Sequence, residues 1–308
     1  MGPVYRALDV QLGRRVALKV LREEFKNDVG FIAQLDNEAR ITASITYPHV
    51  VRVFNRGACH GMYYICFELI EGGSLAELIQ KQGHLAESYV LEFSIQIASG
   101  LRAVFQKGLI HRDVKPGNIL LSNTSVAKIV DFGIAAFQGD SDADSAAVWG
   151  SPNYIAPEKL QRTKDFRSDI YSLGATLFHA LTGRPVFGTG DPRTIAMKHL
   201  QSNAISVQAF APHVTNSTAF CINRMLMKNP EERFQNYDEL IASLEYARDQ
   251  LKTVQATAKS IRVGATVVSK QKQRRRVLPW LMAGGVAAVS LVAIFLIATA
   301  SSVGRRNS

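Results

Sequence analysis

The chain has 308 residues, of which 47% are hydrophobic, and its formal net charge is +10. This apolar fraction supports a hydrophobic core and excludes an intrinsically disordered chain. Residues 1–249 carry 26 Lys or Arg and 26 Asp or Glu, whereas residues 250–308 carry 10 Lys or Arg and no acidic residue. The excess positive charge therefore belongs to the tail and does not indicate a nucleic-acid-binding fold.

The first quarter of the chain predicts mainly strands. Apolar segments at residues 4–8 and 16–20, separated by a polar turn at Gly13, predict two antiparallel strands. Helical periodicity covers residues 29–45, and two further strands are predicted at residues 50–54 and 62–69. After Gly72 the pattern is mostly helical to about residue 250. Strands followed by helices predict an α+β arrangement of two lobes that meet near Gly72.

The C-terminal part predicts a linker and a membrane span. Residues 251–276 lack clear periodicity and end in five Lys or Arg between positions 270 and 276, which predicts a basic juxtamembrane linker. Residues 278–303 form an uncharged run of 26 residues, longer than the roughly 20 needed to cross a bilayer. A buried core helix is the alternative interpretation of this run.

Flanking charge predicts the orientation of this span. More positive charge precedes it than follows it, because only Arg305 and Arg306 lie beyond it. We therefore expect a single-pass membrane protein whose main domain is cytoplasmic and whose short tail, residues 304–308, is not. Gly284 and Ala288, four residues apart in the run, favour close helix approach and hence a homodimer in the membrane.

Three motifs carry the strongest functional signal. Residues 110–121 read IHRDVKPGNILL, residues 130–133 read VDFG and residues 156–158 read APE. In this order and spacing they resemble the motifs of protein kinases, in particular the bacterial membrane-anchored, Hanks-type serine/threonine kinases, over about residues 2–249. The resemblance implies the two-lobed protein kinase fold. Its small antiparallel-sheet N-lobe, which is expected to lack the first strand of the family, covers about residues 1–71, and its larger helical C-lobe covers about residues 72–250.

The resemblance implies roles for the polar residues of these motifs. Asp113 accepts or orients the proton of the attacking hydroxyl. Asn118 and Asp131 supply oxygen ligands for Mg²⁺, with Mn²⁺ as an alternative metal. Lys115 reaches the transferred phosphate, and in the family this lysine accompanies serine and threonine substrates. Lys19, on a predicted strand, holds the α- and β-phosphates of ATP.

The resemblance also implies an ATP pocket. Glu38, in the predicted helix, is the expected partner of Lys19. The other expected nucleotide contacts are Gly2 from the glycine-rich loop, the apolar residues Val4, Ala17 and Leu120, and Glu68 and Ile70 of the hinge, with Phe67 behind it.

Several residues match supporting positions of the family. Asp169 is expected to brace the backbone of the catalytic loop, and Arg233 is expected to pair with Glu158. We interpret His111 as packing against Phe132 rather than acting as a base.

Two parts of the pattern depart from the family. The glycine-rich loop has three glycines, and this chain begins at the last of them, Gly2. Either the start is assigned too late, or this is a short form with impaired catalysis.

The activation segment, residues 131–158, contains Ser141, Ser145 and Ser151 but no threonine. Ser145, and after it Ser141, is the candidate phosphorylation site that would pair with Arg112, unless both are simply solvated loop residues.

The sequence therefore predicts a membrane-anchored serine/threonine protein kinase in a signalling role. Its expected cofactors are ATP and Mg²⁺, and its expected partners are protein substrates and the lipid bilayer. The alternative function is a catalytically impaired kinase fold that serves as a membrane-bound binding platform. No nucleic-acid partner is expected, because the excess basic residues flank the predicted span.

Overall fold

The computed structural model describes residues 2–21, 28–60, 62–123, 126–131, 151–161 and 165–257. Met1–Leu251 forms one compact unit. Of the second unit, Lys252–Ser308, the structure describes residues 252–257, which are helical.

An antiparallel sheet forms the N-terminal lobe, as predicted. Its strands are β1 (Val4–Asp9), β2 (Arg14–Val20), β3 (Val53–Cys59) and β4 (Met62–Glu68), in the order β1-β2-β4-β3. Helix α1 (Val29–Ala43) precedes β3, and its Ala39 packs with Ile65 of β4 in a small core. Phe67 contacts both this core and the main one, so the sheet is fastened to the rest of the domain by apolar packing.

The strand predicted at residues 50–54 begins later than expected. The structure starts β3 at Val53, while Val50 and Val51 are buried beside the C-terminal lobe. Val50 forms a parallel bridge with Ile129, and the Val51 N–H donates to the Ile129 carbonyl at 3.1 Å. Val50 and Val51 thus pair with Ile129 and do not belong to the N-terminal sheet. The periodicity of one segment cannot predict a partner so distant in the chain.

Helices dominate the C-terminal lobe. They are α2 (Leu75–Gln82), α3 (Glu87–Phe105), α4 (Pro157–Leu160), α5 (Arg167–Thr182), α6 (Pro192–Gln201), α7 (Asn216–Met225) and α8 (residues 237–257). A two-stranded hairpin, β5 (Ile119–Leu121) and β6 (Ala127–Ile129), lies between α3 and α4 in the chain. Ser74 and Glu77 form a capping box at the start of α2, which explains the change to helix after the glycines.

The segment between β4 and α2 passes close to the β5–β6 hairpin at Gly72. The backbone of Leu121 passes so close to Gly72 that a Cβ atom would have no room there. The Leu121 N–H donates to the Gly73 carbonyl at 2.9 Å. Glycine is therefore required at this point because two backbones meet in van der Waals contact.

The buried ion pair between Arg233 and Glu158 confirms the predicted pairing. Arg233 has 0% exposure, and its Nη1 and Nη2 donate to the two carboxylate oxygens of Glu158 at 2.6 and 2.8 Å. The same guanidinium also donates to the carbonyls of Met227, Lys228 and Arg167. A buried cation with all its donors engaged ties α4, α5 and the segment before α8 together.

Among the described residues, no helix is both long and apolar enough to cross a bilayer. The predicted span at residues 278–303 and the tail at residues 304–308 lie outside the described residues, as does the linker from residue 258. Residues 251–257, at the start of that linker, continue α8, and Leu251 packs into the main core.

Replacing Arg233 by Met leaves the Glu158 carboxylate buried without its partner. We expect the free energy of unfolding to fall by about 3–5 kcal/mol, as for other broken buried ion pairs. Chemical denaturation of the purified chain measures this difference. Arg102→Met is the matched control because the Arg102–Asp238 pair is exposed, and its loss costs less than about 1 kcal/mol. Equal losses in the two variants would contradict the anchoring role of Arg233.

Candidate active site

Lys19 and Asp131 meet across the two lobes. Lys19 lies on β2 and is 7% exposed, and its Nζ donates to Oδ1 of Asp131 at 2.6 Å. Asp131 follows β6 with a φ of 60°, a left-handed conformation that is uncommon for a non-glycine residue. Two residues predicted from separate motifs therefore occupy one site. Glu38 belongs to α1, but its side chain lies outside the described part of the structure.

The predicted catalytic residues form one hydrogen-bonded group. Lys115 donates through Nζ to Oδ2 of Asp113 at 2.6 Å. Asn118 donates through Nδ2 to the same oxygen at 2.9 Å and to the Asp113 carbonyl at 2.8 Å. These contacts fix the carboxylate in one orientation and engage Oδ2, which leaves Oδ1 to accept a bond from a substrate hydroxyl.

The residues expected to bind Mg²⁺ fit a hard divalent cation. The hairpin brings them together, since the Val130 N–H donates to the Asn118 carbonyl at 3.0 Å and Asp131 follows directly. Because the Asn118 amide nitrogen bonds to Asp113, its amide oxygen is left to serve as a ligand. In the described part of the chain, no cluster of three or more His, Cys, Asp or Glu side chains forms a metal site. One carboxylate and one amide suit a metal that is also held by phosphates.

Asp169 braces the backbone of the catalytic loop, as predicted. This residue of α5 is 1% exposed, and its two carboxylate oxygens accept the N–H groups of His111 and Arg112, each at 2.8 Å. Burial raises the pKa of Asp169, and the neighbouring His111 and the two backbone bonds oppose this shift. Arg112 has a φ of 66°, so Asp169 stabilises a peptide segment that is otherwise unfavourable.

His111 is a structural residue in one neutral tautomer. Its Nδ1 accepts the N–H of Asp113 at 3.2 Å, so Nε2 must carry the proton that is donated to the Val130 carbonyl at 2.9 Å. Burial lowers the pKa of His111, despite the opposing effect of Asp169. A second proton would have to bind at Nδ1 and would break the hydrogen bond that this atom accepts from the Asp113 N–H. Phe132, its expected packing partner, lies outside the described residues.

The expected nucleotide contacts on the sheet share one face. Val4 lies opposite Lys19, and Ala17 is two residues from Lys19 along β2. Paired residues and residues two apart project from the same side of a sheet. Gly2 lies just before β1. Their roles in binding ATP stay predictions.

The other expected nucleotide contacts, Leu120, Ile70 and Glu68, do not all lie on this sheet face. Leu120 lies on β5 and bridges to Ser74, and Ile70 packs against the main core. The Glu68 carboxylate accepts the Arg52 N–H and the Lys128 ammonium, both at 2.7 Å. Both bonds go to Oε1 of Glu68, and the role of this residue in binding ATP stays a prediction.

Lys159 is the residue at this site that the sequence motifs did not reveal. It directly follows the APE motif and lines a small cleft with Arg112, Asp113 and Ser151. Its Nζ donates to the Arg112 carbonyl. Ser151 thus lies beside the catalytic loop, whereas Ser141 and Ser145 are outside the described residues.

Comparison with known proteins matches this chain to protein kinases. The family model for the protein kinase domain matches residues 1–244. A probable serine/threonine-protein kinase of Clostridium perfringens is 37% identical over 247 residues, which cover 80% of this chain and 36% of that protein. The serine/threonine-protein kinase PrkC of Bacillus subtilis is 36% identical, with 81% and 39% covered. The serine/threonine-protein kinase PknB of Mycobacterium tuberculosis is 34% identical, with 79% of this chain and 40% of that protein covered.

A solved structure agrees with these sequence matches. A mutant of the Mycobacterium tuberculosis PknI kinase domain superimposes with a TM-score of 0.63 and 26% identity, covering 80% of this chain and 90% of that one. The chain spans 36–40% of the length of the three curated relatives.

The hydrogen bonds of Asp169 predict that its substitution lowers the stability of the folded chain. Asp169→Asn replaces one acceptor oxygen with an NH₂ group that faces a backbone N–H, so we expect the free energy of unfolding to fall by about 1–3 kcal/mol. Asp238→Asn is the control, since the Asp238 side chain is 74% exposed and its ion pair contributes less than about 1 kcal/mol. Chemical denaturation of both variants decides the matter, and an Asp169→Asn chain as stable as the wild type would contradict the bracing role.

Proposed function

The chain belongs to the protein kinase family, and on that basis we propose that it transfers the γ-phosphate of ATP to serine and threonine hydroxyls of proteins. The observation that carries this proposal is the fixed group of Asp113, Lys115 and Asn118 beside the Lys19–Asp131 pair. The named serine/threonine-protein kinases among the relatives support it.

In the proposed reaction, Asp113 orients the substrate hydroxyl and accepts its proton. The bond between the hydroxyl oxygen and the γ-phosphorus forms while the bond from that phosphorus to the bridging oxygen of ADP breaks. Lys115 contributes positive charge next to the transferred group, and Lys19 contributes it at the remaining phosphates. When bound at Asn118 and Asp131, Mg²⁺ neutralises phosphate charge.

We also propose that the chain is anchored in a membrane by residues 278–303, with its kinase domain in the cytoplasm and a role in signalling. The uncharged length of this run and the basic residues before it support the proposal. A homodimer through Gly284 and Ala288 is part of the same proposal.

Transfer from labelled ATP to a generic protein substrate tests the enzymatic proposal. We expect Asp113→Asn to reduce the rate at least about 100-fold, since general acid–base groups contribute that much or more. Chelating Mg²⁺ should abolish transfer in the wild-type chain, and restoring the metal should recover it. A folded wild-type chain that transfers no phosphate would favour the membrane-bound binding platform.

Membrane fractionation tests the anchoring proposal. We expect the full chain to stay in the membrane pellet after an alkaline wash. The double variant Leu291→Arg and Phe295→Arg should move to the supernatant, because two charges at the centre of a span are costly. Neutralising Arg274, Arg275 and Arg276 with Gln is the matched control and should leave the chain in the pellet. Release of the wild-type chain by the wash would contradict a transmembrane anchor.

A further inference from the structure

Lys159 places a partly buried ammonium against the catalytic loop. It belongs to the short helix α4 and is only partly accessible through the cleft it shares with Arg112 and Asp113. Its Nζ donates to the carbonyl oxygen of Arg112. Burial lowers the pKa of Lys159, and the negative charges of Asp169 and Asp113 oppose this shift. The other charges that act on it are the Arg112 cation and the carboxylate of Glu158.

A lysine in this position is costly unless its charge and donors are used. Removing an ammonium from water is unfavourable, even after the protein has relaxed around it. Here a backbone carbonyl and the carboxylates of Asp169, Asp113 and Glu158 compensate for the lost hydration. The peptide that Lys159 contacts is the strained one, since Arg112 has a φ of 66°.

We propose that Lys159 is a positioning residue that holds Asp113 in its reactive orientation by fixing the Arg112 carbonyl. Asp169 binds the N–H groups of His111 and Arg112 from one side. Lys159 binds the carbonyl of Arg112 from α4. The two contacts together fix both ends of the Arg112 residue, and the next residue in the chain is Asp113. The inference rests on the proposed kinase function and assigns it one more residue.

The position of Lys159 in the chain gives this contact a second consequence. It directly follows Glu158, which Arg233 anchors through two bonds. It is also the first residue after the activation segment, residues 131–158. The placement of the end of the activation segment and the orientation of Asp113 are therefore linked through one side chain.

Two variants of the full chain separate positioning from simple packing. Lys159→Met fills the same slot with an unbranched apolar chain and removes the bond to Arg112. Lys228→Met is the matched control, because Lys228 is also partly buried and donates to a backbone carbonyl, that of His199, at 2.6 Å. We expect Lys159→Met to lower kcat at least about tenfold with KM for ATP within about twofold, since misplacing a catalytic group reduces turnover. We expect Lys228→Met to leave kcat within about twofold of the wild type.

Chemical rescue supplies a readout that loss of packing does not move. Lys159→Ala is assayed with added ethylammonium and, in parallel, with tetramethylammonium, which has the same charge but no N–H donor. We expect ethylammonium alone to restore part of kcat. Lys159→Gln, which keeps an N–H donor, should retain more activity than Lys159→Ala and serves if the Met variant does not fold. A folded Lys159→Met chain with wild-type kcat, or an equal loss in Lys228→Met, would overturn the proposal.

Hydrogen exchange of residues 110–118 decides the positioning claim without any assay of activity. We expect Lys159→Met, but not Lys228→Met, to accelerate exchange in this segment. Unchanged exchange would count against Lys159 as a positioning residue. If the two variants differ in exchange as expected but the wild-type chain transfers no phosphate, the result would count against the proposed function alone.

Discussion

The buried carboxylate of Asp169 holds the segment on which the rest of the site depends. It accepts two consecutive backbone N–H groups, from His111 and Arg112, at 2.8 Å each. A non-glycine residue in a left-handed conformation, such as Arg112, persists only where its surroundings determine it. Because Asp113 follows directly, its backbone position depends on a residue of α5, a helix whose residues are mostly buried.

Burial explains how one carboxylate can have this effect. Helix α5 is surrounded by other elements, and Gly174 lets it approach α7 at the Cβ of Met225. A helix fixed in this way carries Asp169 to a defined point in the core. The ion pair of Arg233 and Glu158 fastens the start of α4 to the same region. The catalytic loop is thus attached to rigid structure, while the Lys19–Asp131 contact is one of the links between this region and the N-terminal sheet.

The sequence predicted the parts of the site whose chemistry depends on residue type and spacing. Asp113, Asn118 and Asp131 were assigned from motifs, and the structure brings them into one region. Val50 was placed in the wrong element because its partner, Ile129, lies far along the chain. Lys159 was missed because a lysine after a motif reads as an ordinary surface charge. Only the folded chain shows that it is partly buried against Arg112, since burial depends on all the elements around it.

Amide hydrogen exchange of the wild-type chain at His111 and Arg112 tests the bracing of the catalytic loop most directly. If Asp169 holds these two N–H groups as the structure indicates, they exchange only through global unfolding, with an exchange free energy within about 1 kcal/mol of the total. Their exchange should also show the same dependence on denaturant as the amides in the centre of α5. Exchange at the rate of exposed loop amides would contradict the bracing, and with it the claim that Asp169 fixes the backbone that precedes Asp113.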